Sequence, residues 1–403
     1  MHRRPFSALI AIAALYSAPL PAQDSSLAAP GTYVLRAAHL IDGRGAAEMQ
    51  NAAIVVVGDS ITWVGSAASV KAPAGARTID LGDATLLPGF IDAHVHLAGR
   101  ELGDPEADEA AVHDYDQYSA ILGVNHAKRT LLDGFTSVRN VGAPNYDDMA
   151  LRKAINASQI WGPRMENAGY ALGITGGHCD DNAYKPGLFD GSYKTGIANG
   201  VDEVRAAVRY QIKQGADVIK TCATGGVLSE GDAVGASQYT YDELHAMVEE
   251  ANKLGRKVAA HAHGAEGIKI AVRAGVSSIE HGSFLDEEGA KMMAAKGTYL
   301  VPTLSAGEAV EGAANNGVLK GLRRQKALDA AKAMRNAVKI AKAAGVKIAL
   351  GTDAGVGRHV TNSHDFTLMT TWGGLTPMES IVEGTSSAAK LLGWEDHVGS
   401  LTA

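Results

Sequence analysis

The chain has 403 residues, of which 46% are apolar, 20% charged and 5% aromatic, and its net charge is −7. This composition is typical of a globular protein and excludes a disordered tail, a collagen-like fibre and a small disulfide scaffold. Its two cysteines allow at most one disulfide and are too few for a thiolate zinc site, so a metal would have to bind histidine and carboxylate. With acidic side chains in excess, we expect neither nucleic acid nor a membrane surface as a partner of the mature protein.

The first residues resemble a secretory signal peptide. His2, Arg3 and Arg4 precede an apolar run over residues 6–16, and small residues and prolines follow up to Ala22. This order of a basic segment, a short apolar segment and a cleavage site predicts a signal peptide over residues 1–22. We therefore expect an exported protein, periplasmic or secreted after cleavage.

Residues 31–87 predict a small β subdomain. Short β-type runs over 33–37, 53–57 and 61–64 alternate with turns, and Gly58-Asp59-Ser60 lies between two of them as in a hairpin. We expect a sandwich-like subdomain built from these N-terminal strands, with residues 394–403 as a partial return. By comparison with the resemblance described below, we expect its C-terminal strands to be truncated, because the sequence ends at Ala403.

After Pro88 the pattern changes to strand-like runs that alternate with helical ones. The predicted strands cover 90–94, 136–140, 164–170, 218–222, 257–262, 277–280, 299–304 and 347–350. Helical segments separate most of them, the longest over about 322–344. This alternation predicts an α/β fold, a (β/α)8 TIM barrel over residues 88–393. No glycine-rich phosphate turn follows the first strand, as a doubly wound open sheet would usually have.

Two histidines close the first predicted barrel strand. His94 and His96 are two residues apart, so their side chains share one face of the strand. The pair alone is a weak signal, because a satisfied core pair gives the same spacing. The surrounding run PGFIDAHVHL, however, resembles the first-strand signature of the metal-dependent amidohydrolase superfamily.

Lys220 interrupts the apolar strand Val218-Ile219-Lys220-Thr221-Cys222. Burial of its ammonium would lower its pKa, and a neutral amine can add carbon dioxide to form a carbamate. In amidohydrolases that resemble this chain, a carboxylated lysine at this strand bridges two metal ions. The alternative is a lysine whose stem packs in the strand while its head reaches the solvent.

Three further candidate ligands follow predicted strands. His261 ends the fifth strand, His281 follows the sixth, and Asp353 lies in LGTDAG after the eighth, a run that again matches the family pattern. With His94, His96 and Lys220 they occupy the carboxyl ends of strands, the face where barrel enzymes place their chemistry. Imidazole and carboxylate suit zinc, and two close cations can hold a bridging hydroxide and polarise a carbonyl.

The assignment that we expect is a pair of divalent ions, Zn2+ in the first instance. His94, His96 and Asp353 would hold one ion, His261 and His281 the other, and carboxylated Lys220 would bridge them. Asp353 would also act as general acid and base, taking the proton of the hydroxide and passing it to the departing nitrogen.

The run His261-Ala262-His263-Gly264 resembles the branch that contains Xaa-Pro dipeptidase-like and ochratoxinase-like enzymes, related to imidazolonepropionases. The resemblance implies a substrate-binding or catalytic His263. A substrate with a free carboxylate also needs donors farther from the metals, although each candidate is as compatible with a packing or surface role. These candidates are His178, Tyr239, Arg139, Arg358 and His359.

The sequence thus predicts a binuclear zinc-dependent hydrolase that cleaves N-acyl amino acids or dipeptides, ochratoxin A-like or Xaa-Pro-like, to release an amino acid. The same metal ligands leave open hydrolysis of a cyclic amide, lactone or phosphotriester. An inactive periplasmic binding protein is a further alternative. The resemblance also implies a homo-oligomer, with an octamer as the expected assembly.

Overall fold

The structure, a computed structural model, describes residues 31–107 and 109–403. The signal peptide predicted over residues 1–22 lies outside this range. Within the described range the chain divides into two compact units. No helix of the described residues is both long and apolar enough to cross a membrane.

The smaller unit contains residues 31–38, 51–84 and 402–403. Its sheet is formed by β1 (Thr32–Leu40), β2 (Met49–Val57), β3 (Ser60–Ser66) and β4 (Arg77–Asp80), in the order β3-β2-β1-β4. β2 and β3 pair in antiparallel fashion, which confirms the predicted hairpin. Gly58 has a φ of 63°, a conformation that glycine adopts without strain. Residues 394–403 contain no strand, and only the last two of them group with this unit.

The larger unit contains His39–Gln50 and Thr85–Leu401. After the short β5 (Thr85–Leu86), it holds two parallel sheets. β6 (Phe90–Val95), β7 (Phe135–Asn140) and β8 (Arg164–Asn167) form the first, in the order β6-β7-β8. β9 (Val218–Cys222), β10 (Lys257–Ala262), β11 (Ser278–His281) and β12 (Tyr299–Val301) form the second, in the order β12-β11-β10-β9.

Helices follow most of these strands. Their bounds are α1 (Ala110–His113), α2 (Asp116–Leu132), α3 (Asp147–Asn156), α4 (Gly200–Gln214), α5 (Tyr241–Lys253), α6 (Ala265–Ala274), α7 (Glu287–Lys296), α8 (Leu304–Asn315), α9 (Gly321–Ala343), α10 (His364–Thr371), α11 (Pro377–Val382) and α12 (Ala388–Leu392). A π-helical turn, Glu383–Ser387, joins the last two. Local sequence explains several of these boundaries: α5, for example, begins at a capping box in which Thr240 and Glu243 satisfy each other's backbone N–H groups.

Single residue pairs connect the two parallel sheets. Leu172 pairs with Thr221 beyond the end of β8. The predicted strand at 347–350 is not a continuous strand, but Ile348 pairs with Leu300, and Ala93 donates from its backbone N–H to Leu350 at 2.9 Å. The segment after β12 also differs from the prediction: the strand expected to reach Leu304 ends at Val301. Pro302 follows, and Thr303 has a φ of 48°, which turns the chain into α8.

β9 and β10 are buried along nearly their whole length. Parallel strands that are covered on both faces consist mainly of apolar residues, and β9 and β10 follow this rule at all but a few positions. Lys220, Thr221, Lys257 and His261 are these exceptions. Burial of a charged or polar side chain costs free energy. Lys220 and His261, which are buried on the neighbouring strands β9 and β10, therefore indicate a functional site at this edge of the sheet.

Candidate metal centre and active site

The six predicted metal ligands surround one cavity of about 230 Å³ at the carboxyl ends of the strands. Five of them belong to two groups whose ligand atoms lie within 4.8 Å of one another: His94, His96 and Asp353 form one, and His261 and His281, together with His263, form the other. Lys220 adjoins the first group, since its Nζ lies 3.4 Å from Nε2 of His94. The structure therefore brings together all of the residues that the sequence proposed as ligands.

Two of these residues reach the cavity through unusual backbone conformations. His281 and Asp353 have φ values of 69° and 57°, in the left-handed region that residues other than glycine seldom adopt. In β11 the side chain of Glu280 already points into the interior, and regular alternation would turn His281 away. The left-handed conformation instead directs the imidazole of His281 into the same cavity. Such strain persists where function requires the geometry.

Three of the four predicted ligand imidazoles are held through Nδ1. Nδ1 of His94 bonds Glu280 at 2.8 Å, and that of His96 bonds the Gly142 carbonyl at 2.9 Å. Nδ1 of His281 bonds the Thr303 hydroxyl at 2.7 Å. With Nδ1 engaged, Nε2 of each of these three rings is the atom that could bind a cation, as in metal sites whose ligands are oriented by further hydrogen bonds.

Nε2 of His261 is buried and has no hydrogen-bond partner among the described residues. A buried polar atom without a partner is rare, and an ion in the cavity would satisfy it. Burial lowers the pKa of His96 to about 4 and holds the pKa values of His94, His261 and His281 well below their usual range. The rings are therefore neutral at physiological pH, which is the form that binds metal.

Lys220 and Asp353 depart from their ordinary ionisation in opposite directions. Burial lowers the pKa of Lys220, although the carboxylates of Glu280 and Asp353 oppose this. Burial raises the pKa of Asp353, with the Lys220 ammonium opposing. In both cases loss of solvation outweighs the attraction between the charges. Burial thus increases the share of Lys220 that is a neutral amine, which is the form that reacts with carbon dioxide.

Arg139 does not line the cavity and instead supports the predicted ligands through Glu280. Its guanidinium donates to Glu280 at 2.8 Å and to the Ala93 carbonyl at 2.7 Å, and its side chain is 1% exposed. Glu280, which sequence reasoning missed, joins Arg139 to His94. The missed signal was the carboxylate that directly precedes His281 at the end of the predicted strand.

His178 does line the cavity, and a chain of hydrogen bonds fixes its orientation. Its Nδ1 lies 2.8 Å from the Ser229 hydroxyl, which donates to Asp232 at 2.7 Å. Asp232 in turn bonds Lys326. Because the hydroxyl hydrogen goes to Asp232, Nδ1 of His178 must carry a proton, and its Nε2 then presents a lone pair. Its ring centroid is 4.2 Å from that of His261.

His263 also faces the cavity. Its Nδ1 lies 2.7 Å from the Ser283 hydroxyl, and its ring stacks on that of His281 with centroids 5.0 Å apart. Burial lowers the pKa of His263 to about 3. A neutral ring in this position can donate or accept one hydrogen bond.

A disulfide joins Cys179 to Cys222 at the cavity wall. Cys179 follows His178 in the loop after β8, and Cys222 lies two residues beyond Lys220 on β9. The bond therefore ties the loop that carries His178 to the strand that carries Lys220. Sequence reasoning noted that one disulfide was possible but did not predict its position at the site.

The remaining predicted substrate-binding residues lie elsewhere. Tyr239 is buried, and its hydroxyl donates to the Ala198 carbonyl at 3.1 Å. Arg358 is exposed and lines a different cavity. His359 is 1% exposed and stacks on His126. Of the five distal candidates, the structure brings His178 alone to the cavity that holds the ligands.

Comparisons with known proteins agree with this arrangement. The Amidohydrolase family profile matches residues 85–403. Ochratoxinase from Aspergillus niger is 35% identical over 384 residues, which cover 89% of this chain and 76% of that protein. Among solved structures, a Xaa-Pro dipeptidase with methionine bound in its active site is 39% identical, with a TM-score of 0.88 over 93% of this chain and 91% of the other. A prolidase in complex with N-methylphosphonate-L-proline is 31% identical, with a TM-score of 0.84 over 92% and 90%.

The family match extends over most of the chain, and the residues that the match contains form a cavity suited to cations. The prediction of the family is therefore confirmed. This chain belongs to the amidohydrolase family of metal-dependent enzymes and is a hydrolase of amide bonds.

Proposed function

We propose that this protein is a binuclear zinc enzyme that hydrolyses N-acyl amino acids or dipeptides and releases a free amino acid. The observation that carries the proposal is the convergence of two groups of ligand atoms on one cavity, which Lys220 also lines beside His94. The relatives support the class of substrate, because they include an ochratoxinase, a Xaa-Pro dipeptidase and a prolidase.

The arrangement of the two parallel sheets supports a closed (β/α)8 barrel. Residues 347–354 would serve as the eighth strand, because Ile348 pairs with Leu300 and Ala354 pairs with Val95. On the other side of the sheets, the Leu172–Thr221 pair would complete the ring. In a closed barrel the carboxyl ends of all strands surround one opening, which accounts for the position of the cavity.

We assign His94, His96 and Asp353 to one ion and His261 and His281 to the other, with Lys220 shared. Lys220 would be shared as a carbamate: its neutral amine bonds the carbon of carbon dioxide and releases one proton to solvent. The anionic product would replace an ammonium, which repels cations, by two oxygen ligands. When bound, the two ions supply an activated water and polarise the amide carbonyl.

Asp353 is the group in this chain that can move the proton. Its Oδ1 lies 3.4 Å from Nε2 of His96 and 3.5 Å from Nε2 of His94, so it faces the centre of the ligand group. We propose that Asp353 accepts a proton from the attacking water and passes it to the leaving nitrogen when the C–N bond breaks. The amine then leaves as a neutral group, and the acyl product keeps the water oxygen.

The cavity wall away from the ligands suits an apolar substrate side chain. It includes Val227, Leu228, Val310 and Met334. Nε2 of His178 would accept a hydrogen bond from the substrate, and His263 would bind a second polar group. Burial of such a side chain against this wall would contribute about 2 kcal/mol of binding free energy.

Export and assembly belong to the same proposal. The Cys179–Cys222 disulfide supports an oxidising compartment such as the periplasm or the exterior, because disulfides seldom persist in the cytosol. A homo-octamer remains our expectation for the assembly, and light scattering of the purified protein tests it.

The central experiment measures metal content and amine release together. We expect at least two zinc ions per chain in active protein, and turnover of some members of a panel of N-acyl amino acids and dipeptides. Lys220→Ala should lose the ions of this cavity and the activity, while Lys213→Ala on the exposed face of α4 should keep both. A metal-free enzyme should recover activity in zinc only when bicarbonate is present. Turnover of matched esters or phosphotriesters without turnover of any amide, or full activity with less than one metal ion per chain, would overturn the proposal.

A further inference from the structure

A second cluster of metal-binding side chains lies outside the cavity described above. It consists of Glu101, His126 and His359, with one ligand atom of each within 4.8 Å of the others. None of the three lines the main cavity. Glu101 follows β6, His126 lies in α2, and His359 lies in the segment after Asp353, so the cluster joins three parts of the chain.

His126 is oriented like a metal ligand. Its Nδ1 donates to the Leu97 carbonyl at 2.9 Å, which fixes the proton on that atom. Nε2 therefore carries a lone pair, and it lies 4.0 Å from Oε1 of Glu101. A carbonyl that holds the far nitrogen of an imidazole is the usual support for a ligand histidine.

His359 has no evident role without a ligand. Its side chain is 1% exposed, and neither ring nitrogen has a hydrogen-bond partner among the described residues. Burial lowers the pKa of His359, and the nearby His96 backbone opposes this shift. No contact between the His359 ring and that backbone meets hydrogen-bond geometry, however. A buried polar group without a partner is energetically costly. The ring stacks on His126 with centroids 4.2 Å apart, and one of its nitrogens lies within 4.8 Å of the ligand atoms of His126 and Glu101.

Glu101 supplies the carboxylate and access to solvent. Its Oε1 accepts the backbone N–H of His359 at 2.8 Å, which holds the carboxylate beside both rings. The side chain is 21% exposed, so water can complete the coordination of an ion. Two imidazoles and one carboxylate with open positions are a donor set for Zn2+ and related divalent ions.

We propose that Glu101, His126 and His359 bind one divalent transition-metal ion, represented by Zn2+, at a structural site separate from the catalytic centre. Ligand distances of about 2.0–2.2 Å require the side chains to close by less than about 1 Å around the ion. The ion would tie α2 to the segments that follow His96 and Asp353. It would thus stabilise the backbone that carries two ligands of the catalytic centre without touching substrate.

The test counts zinc ions in a protein whose catalytic centre is disabled. In the His94→Ala/His261→Ala/His281→Ala background, which removes ligands of both catalytic ions, equilibrium dialysis against zinc should leave a tightly held ion that disappears when Glu101→Gln or His359→Leu is added. Glu101→Gln keeps the shape of a partly exposed side chain, so it reports on binding even if a core variant fails to fold. His113→Ala in α1, an exposed histidine paired with Glu109, is the matched control and should change nothing.

Thermal unfolding gives a second readout. Zinc should raise the melting temperature of the background protein but not of the variants with Glu101→Gln or His359→Leu. In chelator, His359→Leu should be at least as stable as its parent, because it removes two unpaired nitrogens. Equal zinc content with and without these substitutions would overturn the proposal, and so would an equal rise in melting temperature.

Discussion

Glu280 accepts a hydrogen bond from Nδ1 of His94 at 2.8 Å, although the two residues lie on strands of different sheets. Its other oxygen accepts from Arg139 at 2.8 Å. Glu280→Gln should keep the shape but leave Arg139 buried without a counter-charge and weaken the hold on His94. We expect zinc affinity to fall about 10- to 100-fold, as for other partners of metal ligands, and stability to fall by about 3 kcal/mol.

Competition with a chromogenic chelator measures this loss of affinity. Glu308→Gln is the matched control, because it removes an equivalent carboxylate–imidazole contact with His364 on the exposed surface. Unchanged zinc affinity in Glu280→Gln would show that Glu280 does not support the ligand shell.

Gly226 provides the space that the His178 ring occupies. An ideal Cβ at this position would lie 2.2 Å from Cε1 of His178, so Gly226→Ala must displace the ring. We expect kcat/KM to fall about 10- to 100-fold, because a catalytic or binding group is moved by about an ångström. Gly312→Ala in α8 is the control, since its Cβ would meet nothing within 4 Å. Wild-type kcat/KM in Gly226→Ala would mean that His178 takes no part in binding.

The Cys179–Cys222 disulfide should be needed for substrate binding more than for metal binding. The double variant Cys179→Ser/Cys222→Ser frees the loop after β8 but leaves every ligand in place, so KM should rise while zinc content stays the same. A disulfide that closes a separation of 43 residues contributes about 4 kcal/mol to stability. Dithiothreitol should reproduce the rise in KM in the wild type and have no effect on the double variant. A dithiothreitol effect of equal size in both proteins would refute this role.

Asp365 should make stability depend on pH. Its Oδ2 accepts two hydrogen bonds from Ser305, but Oδ1 is buried without a partner, and burial raises the pKa of this carboxyl from 3.8 to about 7. Between these values the folded protein keeps a proton that the unfolded chain has lost. The stabilisation of the folded state by protonated Asp365 is therefore complete below about pH 4 and is lost as the pH rises to about 7.

Asp365→Asn removes this dependence, because the amide does not titrate. As the pH rises from 4 to 7.5, the difference in unfolding free energy between variant and wild type should shift by about 2–4 kcal/mol in favour of the variant. Urea unfolding at each pH measures the difference. Asp329→Asn on the exposed face of α9 is the control and should follow the wild type, whereas parallel curves for wild type and Asp365→Asn would contradict the expectation.

The metal ligands could be predicted from sequence because each lies next to an apolar strand. Alternation places His94 and His96 on one face, and Lys220 stands out as a charge within buried β9. The approximate positions of most strands and helices followed from the same periodicity. These signals are local, and a single sequence contains them in full.

Contacts between distant segments could not be predicted in this way. The Glu280–Arg139 pair forms because β11 and β7 face the same interior. The sequence does not show this contact, and it therefore predicts Arg139 as a substrate-binding residue. Leu304 was assigned to a strand because nothing in the composition shows that Thr303 adopts a left-handed conformation. Tyr239 and Arg358 follow strands in sequence as well as His178 does, and only the fold decides which of them reaches the cavity.

The position of the disulfide has a consequence for how the enzyme matures. Cys179 and Cys222 both precede His261, His281 and Asp353 in the chain, so a polypeptide threaded out from its N-terminus presents both thiols before those three ligands. Because no other cysteine exists, the cross-link has a single intramolecular partner and needs no isomerase to correct it. The loop after β8 can thus be joined to β9 while the segments that carry the last three predicted ligands are still unfolded, so the cavity is completed after the cross-link.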